Sequence, residues 1–206
     1  MSVLLFDVND DRAMVAVDTL AGIGASAPAT WTPVAKLHVI SHLGLVLAGR
    51  GVMEFNAIVA RHVDLMPGPG LDQVAAQLEA TLPQVLDVIA RANPSMADGL
   101  VQHGSELVLA GYSASMRTWV AYEFSRAPGS MQFKTTNDTL SSANPYPRDH
   151  LGDLPPLDNE LDFVMCARRQ VEAHRKLRPH EPVGGSLILA TLTRDAVTVR
   201  NLGDLE

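Results

Sequence analysis

The fold is decided by the stretch MSVLLFDVNDDRAMVAVDT, which runs from Met1 to Thr19. Its apolar residues form two runs, Ser2 to Asp7 and Met14 to Thr19, that are typical of β-strands. Between them lies the sequence NDDR, whose Asn and Asp residues favour turn conformations. The stretch therefore predicts a β-hairpin at the start of the chain, with a serine directly behind the first methionine.

Three more strand pairs follow further along the chain. They are Lys36 to Ser41 with Leu43 to Gly49, Ser105 to Ser113 with Arg117 to Phe124, and Val183 to Leu192 with Val197 to Leu202. Between the first two hairpins, the sequence AGIGASAPATWTP (Ala21 to Pro33) is rich in Gly, Pro and small residues and predicts a loop.

After the second hairpin the apolar spacing changes to steps of three and four, which indicates helices. One helix begins near Gly51, and a third lies between Leu157 and Pro179. Between them, the second includes Val74 to Ile89, and Pro83 either kinks it or starts a new helix. Hairpins, then helices, then hairpins again exclude a βαβ array. The order predicts an α+β fold with antiparallel sheets and segregated helices.

The length and charge of the chain indicate the number of domains and exclude some classes of partner. Its 206 residues, 47% of them hydrophobic, suffice for one domain over 1–206, with an irregular Pro-rich excursion at about 125–158. The formal net charge of −7 argues against nucleic acid as a partner, because phosphate neutralisation requires clustered Lys and Arg. No apolar run is long enough to span a membrane and no basic signal segment starts the chain, so we expect a cytoplasmic protein.

Cysteine and histidine spacing gives no sign of a metal centre. The single cysteine, Cys166, cannot form an internal disulfide, and its helical surroundings favour a reduced packing thiol. His38 and His42 would lie about 13 Å apart on one continuous strand, too far to share a metal ion. The stretch MPGPG (66–70) lacks the Lys and the Ser or Thr of a phosphate loop. The sequence therefore predicts neither a metal nor a cofactor.

Several pieces of the chain resemble the proteasome β-type and bacterial proteasome-like family of N-terminal nucleophile (Ntn) hydrolases. They are MVAVDTLAG (14–22), AKLHVISHLGLVLAGRG (35–51), ELVLAGYS (106–113) with RTWVAYEF (117–124), and VGGSLILATLTRDAVTVRNL (183–202). Together they cover most of the chain outside the Pro-rich excursion. The resemblance implies a four-layer αββα sandwich of two antiparallel sheets flanked by helices.

The resemblance also implies four site residues. In that family the nucleophile is the first residue of the mature chain, which would be Ser2 after removal of Met1. The family's charged pair falls on Asp18, sixteen positions after the serine, and on Lys36, after a two-residue insertion. Gly49, in LAGRG, matches the glycine whose backbone N–H serves that family as an oxyanion donor.

These residue types suit hydrolysis, although each also has a structural interpretation. A serine hydroxyl is a weak nucleophile unless a base takes its proton, and a free α-amine with a pKa of about 8 can do so. A buried Lys36 would lower the effective pKa of the hydroxyl or relay its proton, while Asp18 would orient the ammonium. Alternatively, Ser2 is merely a common second residue and Asp18 a loop cap. Lys36 is then a surface charge, and Gly49 a spacer before a helix.

The sequence departs from the family's pattern ahead of the paired glycines at positions 184 and 185. Matching on these glycines places His180 where the family has an Asp and Val183 where it has a Ser. The family's other supporting serine has no clear counterpart, with Ser141 and Ser142 as candidates. His180 is a possible polar partner for the α-amine, but an imidazole does not supply the charge of a carboxylate.

Two functions therefore stay open. The first is a proteasome-like amide or peptide hydrolase whose Ser2 nucleophile is exposed by removal of Met1, since a retained methionine would leave the amine acylated. The second is a catalytically inactive proteasome-like subunit with an assembly or structural role, which the altered residues His180 and Val183 favour. The resemblance implies a homo-oligomeric ring, with a peptide or amide substrate in the active case.

Overall fold

The structure is a computed structural model that describes residues 2–23, 30–68, 70–94, 99–100, 102–138 and 156–206. The strands are β1 (Leu4–Val8), β2 (Ala13–Asp18), β3 (Leu20–Ile23), β4 (Thr30–Pro33), β5 (Leu37–Ile40), β6 (Leu45–Arg50), β7 (Ser105–Ser113), β8 (Thr118–Arg126), β9 (Lys134–Asp138), β10 (Ser186–Leu192) and β11 (Val197–Asp204). The long helices are α1 (Met53–Asp64), α2 (Leu71–Ala92) and α3 (Glu160–Leu177). A short 3₁₀ turn, Ser41–Leu43, joins β5 to β6.

The strands form three antiparallel sheets. The first sheet has the order β1-β2-β10-β11, and the second has the order β5-β6-β7-β8-β9. The third is the two-stranded pair β3-β4, which follows directly from β2. The α+β class with antiparallel sheets and separate helices is therefore confirmed.

The apolar residues of the sheets are buried in three clusters. One lies between the second sheet and helices α1 and α2, another between the first and second sheets, and the last between the first sheet and α3. On β1, Leu4 and Phe6 belong to the cluster between the sheets, whereas Leu5, together with Val3 just before the strand, belongs to the cluster with α3. Because both faces of this sheet are covered, its strands are continuously apolar instead of alternating with polar residues.

The stretch between β2 and β5 differs from the loop that its composition predicts. Leu20–Ile23 and Thr30–Pro33 pair as β3 and β4, with Leu20 opposite Pro33. The predicted loop was therefore wrong for these residues, because a two-stranded ribbon outside the main sheets can form from small residues and a terminal proline. Residues 24–29 lie outside the described part of the chain.

Pro83 does not divide the second helix. Helix α2 is continuous from Leu71 to Ala92, and its buried residues include Leu78, Leu82 and Leu86, on both sides of the proline. Packing of this apolar face in the cluster with α1 outweighs the local cost of proline in a helix.

Among the described residues of the Pro-rich excursion, one short strand, β9, adds to the edge of β8 with Ser125 opposite Lys134. The candidate serines Ser141 and Ser142 lie outside the described residues. That 1–206 forms a single domain stays a prediction. In the described residues, no helix combines the length and apolar character that crossing a membrane requires.

Candidate active site

Three of the residues named from the sequence meet at the end of the first sheet. The Lys36 ammonium nitrogen (Nζ) donates hydrogen bonds to Ser2 Oγ at 2.9 Å and to Asp18 Oδ1 at 2.8 Å. All three side chains are buried; Lys36 is 1% exposed and Asp18 fully enclosed. We call this group the Ser2–Asp18–Lys36 cluster. A lysine, a carboxylate and a hydroxyl buried in mutual contact are chemically unlike the apolar clusters around them.

One strand end, that of β2, and two strand starts, those of β1 and β5, bring the cluster together. The register of the first hairpin pairs Leu4 with Val17, so that the residues before β1 lie beside the end of β2 at Asp18. The Val3 backbone N–H donates to Asp18 Oδ1 at 2.9 Å, which fixes the chain directly after Ser2. Lys36 directly precedes β5 in the second sheet, and its side chain reaches the first sheet to contact Asp18.

The third hydrogen bond of the ammonium goes to the Leu20 carbonyl oxygen, at 2.5 Å. The three N–H groups of a charged Lys36 therefore have three acceptors, namely a hydroxyl, a carboxylate and a carbonyl. A buried ammonium with every donor satisfied is held in one place, which fixes its distance from Ser2 Oγ.

Asp18 connects the cluster to the connection before β10. Its second carboxylate oxygen, Oδ2, accepts the Gly184 backbone N–H at 2.9 Å. The Leu20 N–H donates to the Gly184 carbonyl at 3.0 Å. Gly184 is therefore bonded both to the Asp18 side chain and to the backbone two residues after it. One carboxylate thus holds the start of β1, the lysine and the approach to β10.

The paired glycines of this connection are required by the backbone. Gly184 has φ +116° and Gly185 has φ +74°, which side chains other than glycine rarely allow. A Cβ atom on Gly185 would lie 2.7 Å from Thr19 Oγ1. At Gly185 the backbone therefore approaches Thr19, the residue after Asp18, more closely than a residue with a side chain would permit.

Burial shifts both ionisable groups towards their neutral forms. It lowers the pKa of the Lys36 ammonium, against the opposing charge and hydrogen bond of Asp18. It raises the pKa of the Asp18 carboxyl, against the effect of Lys36 and of the two backbone N–H donors. A lysine whose pKa is lowered releases a proton more readily, and here it does so beside a hydroxyl.

Gly49 lies close to the cluster, but its N–H has a partner. Its backbone N–H donates to the carbonyl oxygen of Lys36 at 3.1 Å and thereby extends the pairing of β5 with β6. A Cβ atom at this position would lie 2.7 Å from Leu107 and 2.9 Å from Asn56, so the glycine also allows α1 to pack closely. In this conformation the N–H serves the sheet, and its role as oxyanion donor stays a prediction.

The two residues that depart from the family's pattern do not act as polar supports here. His180 is exposed, and Val183 is buried in the apolar cluster between the first sheet and α3. Sequence reasoning did not identify the Val3 N–H, the Gly184 N–H or the Leu20 carbonyl as partners of the cluster. Of these three, only the Gly184 N–H could have been suspected from the sequence, because paired glycines indicate a close approach of the backbone. The Val3 N–H and the Leu20 carbonyl belong to residues whose type gives no such indication.

The comparisons with known proteins support the fold but give no evidence on the function of the Ser2–Asp18–Lys36 cluster. No family model matches the sequence, and no curated protein matches it. Among solved structures, it is similar to Anbu from Hyphomicrobium sp. strain MC1, with a TM-score of 0.60, 12% identity, and coverage of 98% of this chain and 88% of that one. It is also similar to Anbu (ancestral beta-subunit) from Yersinia bercovieri, with a TM-score of 0.59, 13% identity, and coverage of 98% and 87%.

These results correct the family assignment that the sequence resemblance implied. Assignment to the proteasome β-type and bacterial proteasome-like Ntn hydrolases was wrong, because neither a family model nor any curated sequence supports it. The structural neighbours are Anbu proteins, and an identity of 12–13% shows the fold alone. The chain therefore has a proteasome-like fold of the kind found in Anbu.

Proposed function

We propose that this chain is an amide or peptide hydrolase whose nucleophile is Ser2. The observation that carries the proposal is the buried hydrogen bond from Lys36 Nζ to Ser2 Oγ, at 2.9 Å. A cation held beside a hydroxyl favours the alkoxide over the alcohol and thereby lowers the pKa of the hydroxyl. Met1 must be removed for this function, because a retained methionine would leave the α-amine of Ser2 acylated.

The reaction follows from the positions of the cluster. Ser2 Oγ attacks the carbonyl carbon of the substrate amide, and the hydroxyl proton passes to the free α-amine or to Lys36 when that lysine is neutral. The carbon–nitrogen bond of the substrate then breaks, and the proton leaves with the departing amine. Water hydrolyses the resulting ester at Ser2 and restores the hydroxyl. Asp18 orients Lys36 throughout.

The three apolar clusters support a four-layer αββα sandwich as the architecture around this site. In that arrangement, α1 and α2 cover the outer face of the second sheet and α3 covers the outer face of the first. Ser2 then lies at the end of the interface between the two sheets. A cytoplasmic location and assembly into a homo-oligomeric ring remain predictions. A monomeric mass in light scattering at micromolar concentration would reject the ring.

A second function has its own support, namely that of an inactive subunit with an assembly or structural role. The Gly49 N–H is bonded to the Lys36 carbonyl, so it is not directed at a developing oxyanion in this conformation. Val183 is apolar and His180 is exposed, so neither supplies a hydrogen bond to the amine. This alternative predicts a chain with the same cluster and an unreactive Ser2.

Acylation by a β-lactone separates the two functions. Opening of the lactone by Ser2 Oγ forms an ester without a leaving group, so the intact mass rises by the whole mass of the reagent. We expect one such adduct on the wild-type chain and none on Ser2→Ala, with Ser41→Ala as a control serine outside the cluster. The same spectrum shows whether Met1 is present. An unmodified wild-type chain that lacks Met1 would favour the inactive subunit.

A further inference from the structure

A buried histidine at the end of α3 has no role in the cluster described above. His174 is 2% exposed, and its Nε2 has no hydrogen-bond partner within the described residues. The nearest opposite charge is the Glu181 carboxylate, whose Oε2 lies 3.6 Å from that nitrogen. A buried polar atom without a partner destabilises the folded protein, so its presence calls for an explanation.

The direction of α3 places this histidine beyond the Ser2 end of β1. The beginning of the helix lies beside the turn after β1, because Arg12 donates to the Asp158 carbonyl. Its later turns lie beside the approach to β10, where a Cβ atom on Gly184 would be 3.8 Å from Val171. Helix α3 therefore runs antiparallel to β1, and its last turns lie at the end of the sheet that holds Ser2.

The packing of Val171 places His174 near the end of β1 from which the chain continues to Ser2. Val171 shares an apolar cluster with Val3 and Val183, which flank Ser2 and Gly184 in sequence. His174 is the buried residue one helical turn after Val171, on the same face of the helix. The chain that continues from Val3 to Ser2 therefore approaches the turn of α3 that carries the imidazole.

The residues after α3 fix the carboxylate beside that imidazole. The Arg178 N–H donates to the His174 carbonyl at 2.7 Å, and the Glu181 N–H donates to the Arg178 carbonyl at 3.0 Å. The Arg178 guanidinium also donates to Glu181 Oε1 at 3.0 Å, which leaves the other carboxylate oxygen facing His174. This turn leads directly to Gly184, whose N–H binds Asp18.

We propose that His174 and Glu181 form a positioning pair for the α-amine of Ser2. This inference rests on the proposed function, in which that amine is free. The ammonium form of the amine would donate to His174 Nε2 or Glu181 Oε2. The pair would thereby hold the amine near Ser2 Oγ and favour its protonated form. It would supply the carboxylate that His180, one residue earlier, does not.

The charges around the pair define its behaviour with pH. Burial lowers the pKa of His174, the positive charge of the N-terminus and that of Arg178 act in the same direction, and Glu181 opposes them. The imidazole is then neutral at neutral pH and able to accept a hydrogen bond. Across the connection lies the Asp18–Lys36 ion pair, whose charges offset each other.

The test compares Glu181→Gln and His174→Gln with matched variants outside the pair. The controls are Glu172→Gln, on the exposed side of α3, and His180→Gln, on the same turn as Glu181. For His174→Gln we expect the rate of Ser2 acylation by a β-lactone to fall about tenfold, as loss of a hydrogen bond to a charged group predicts. For Glu181→Gln we expect the acylation rate to fall off at a lower pH on the acidic side, by about half a unit to one unit. The reason is that removal of the carboxylate destabilises the ammonium form of the α-amine, so the pKa of the amine falls. If Glu181 had a purely structural role, the pH of this fall would not change.

A second measurement does not depend on catalysis. The pH dependence of α-amine acetylation by acetic anhydride, read by mass spectrometry of the N-terminal peptide, reports the pKa of that amine directly. The inference predicts a lower pKa in Glu181→Gln than in Glu172→Gln. Equal values overturn the positioning pair, even if Ser2 reacts with the lactone. A lower value with an unreactive Ser2 supports the pair and overturns only the hydrolase, whereas a retained Met1 overturns both.

Discussion

Two buried cations in this molecule have very different surroundings. Lys36 is 1% exposed and Arg126 is 3% exposed, so both are removed from water. The Lys36 ammonium contacts the Asp18 carboxylate, the Ser2 hydroxyl and the Leu20 carbonyl. The acceptors that the structure describes for the Arg126 guanidinium are the Ser105 hydroxyl and the carbonyls of Leu100, His103, Ala127 and Ser130.

The difference separates a structural cation from one suited to chemistry. A guanidinium stays protonated throughout the working pH range, and its planar fork can hold several carbonyls of two adjacent loops at once. A lysine ammonium is a compact charge whose pKa shifts readily on burial, and burial lowers it here. Arg126 therefore stabilises the ends of β7 and β8, whereas Lys36 is able to exchange a proton beside a serine.

Removal of the Lys36 charge gives the largest expected effect on stability. Lys36→Met leaves the Asp18 carboxylate buried without its cation, and we expect the free energy of unfolding to fall by about 3–5 kcal/mol. Because a protonated Asp18 carries no charge, the loss should shrink as the pH is lowered. Urea unfolding at several pH values measures both effects. A loss that stays constant across that range would show that Asp18 is not the group left unpaired.

Replacement of each cation by the other type tests their different roles. Lys36→Arg keeps a charge that cannot be released, and we expect the rate of Ser2 acylation by a β-lactone to fall about a hundredfold. Arg126→Lys, made in parallel, should leave that rate within about twofold of the wild-type rate, since Arg126 touches no residue of the cluster. Equal rates for all three proteins would remove the distinction between the two cations.

The same Arg126→Lys protein should lose stability. An ammonium has three donors and cannot reproduce the contacts of the guanidinium fork, so we expect a loss of about 1–3 kcal/mol in the free energy of unfolding. Thermal and urea unfolding give this value. If the variant were as stable as the wild type, the carbonyl contacts of Arg126 would make no net contribution to the free energy of unfolding.

The smallest expected effect concerns the pH dependence of stability. Burial lowers the pKa of His174 below its ordinary 6.5, so the unfolded chain binds this proton more readily than the folded protein. The free energy of unfolding contributed by this residue is therefore fully present above pH 6.5 and is lost as the pH falls through the lower folded-state pKa. His174→Gln should flatten the acidic slope, and an unchanged slope in urea titrations would contradict this.

The sequence predicted the cluster better than it predicted the surroundings of the cluster. Ser2, Asp18 and Lys36 were named because a family resemblance implied them, and the structure brings them within hydrogen-bond distance, although their catalytic roles stay predictions. The resemblance did not reveal that the Gly49 N–H is bonded to the Lys36 carbonyl, because a backbone hydrogen bond can be made by any residue type except proline. Nor did it identify Glu181, whose Oε2 lies 3.6 Å from His174 Nε2, whereas the neighbouring His180 is exposed.

The fold was predicted where burial dictates a repeating pattern and missed where it does not. The first hairpin and α3 followed from their apolar runs and periodicity. The pair β3 and β4 did not, because Leu20–Ile23 and Thr30–Pro33 form a ribbon outside the large sheets. Of the two alternatives at Pro83, the start of a new helix is wrong, because the packing of Leu82 and Leu86 outweighed a local preference.

A crystal structure of the protein after reaction with a β-lactone would test most directly whether Lys36 activates Ser2. We expect an ester on Ser2 Oγ, a free amine at Ser2, and Lys36 Nζ within hydrogen-bond distance of both the ester oxygen and Asp18. An unmodified Ser2, or a modified Ser2 with Lys36 turned away from it, would show that Lys36 does not have this role.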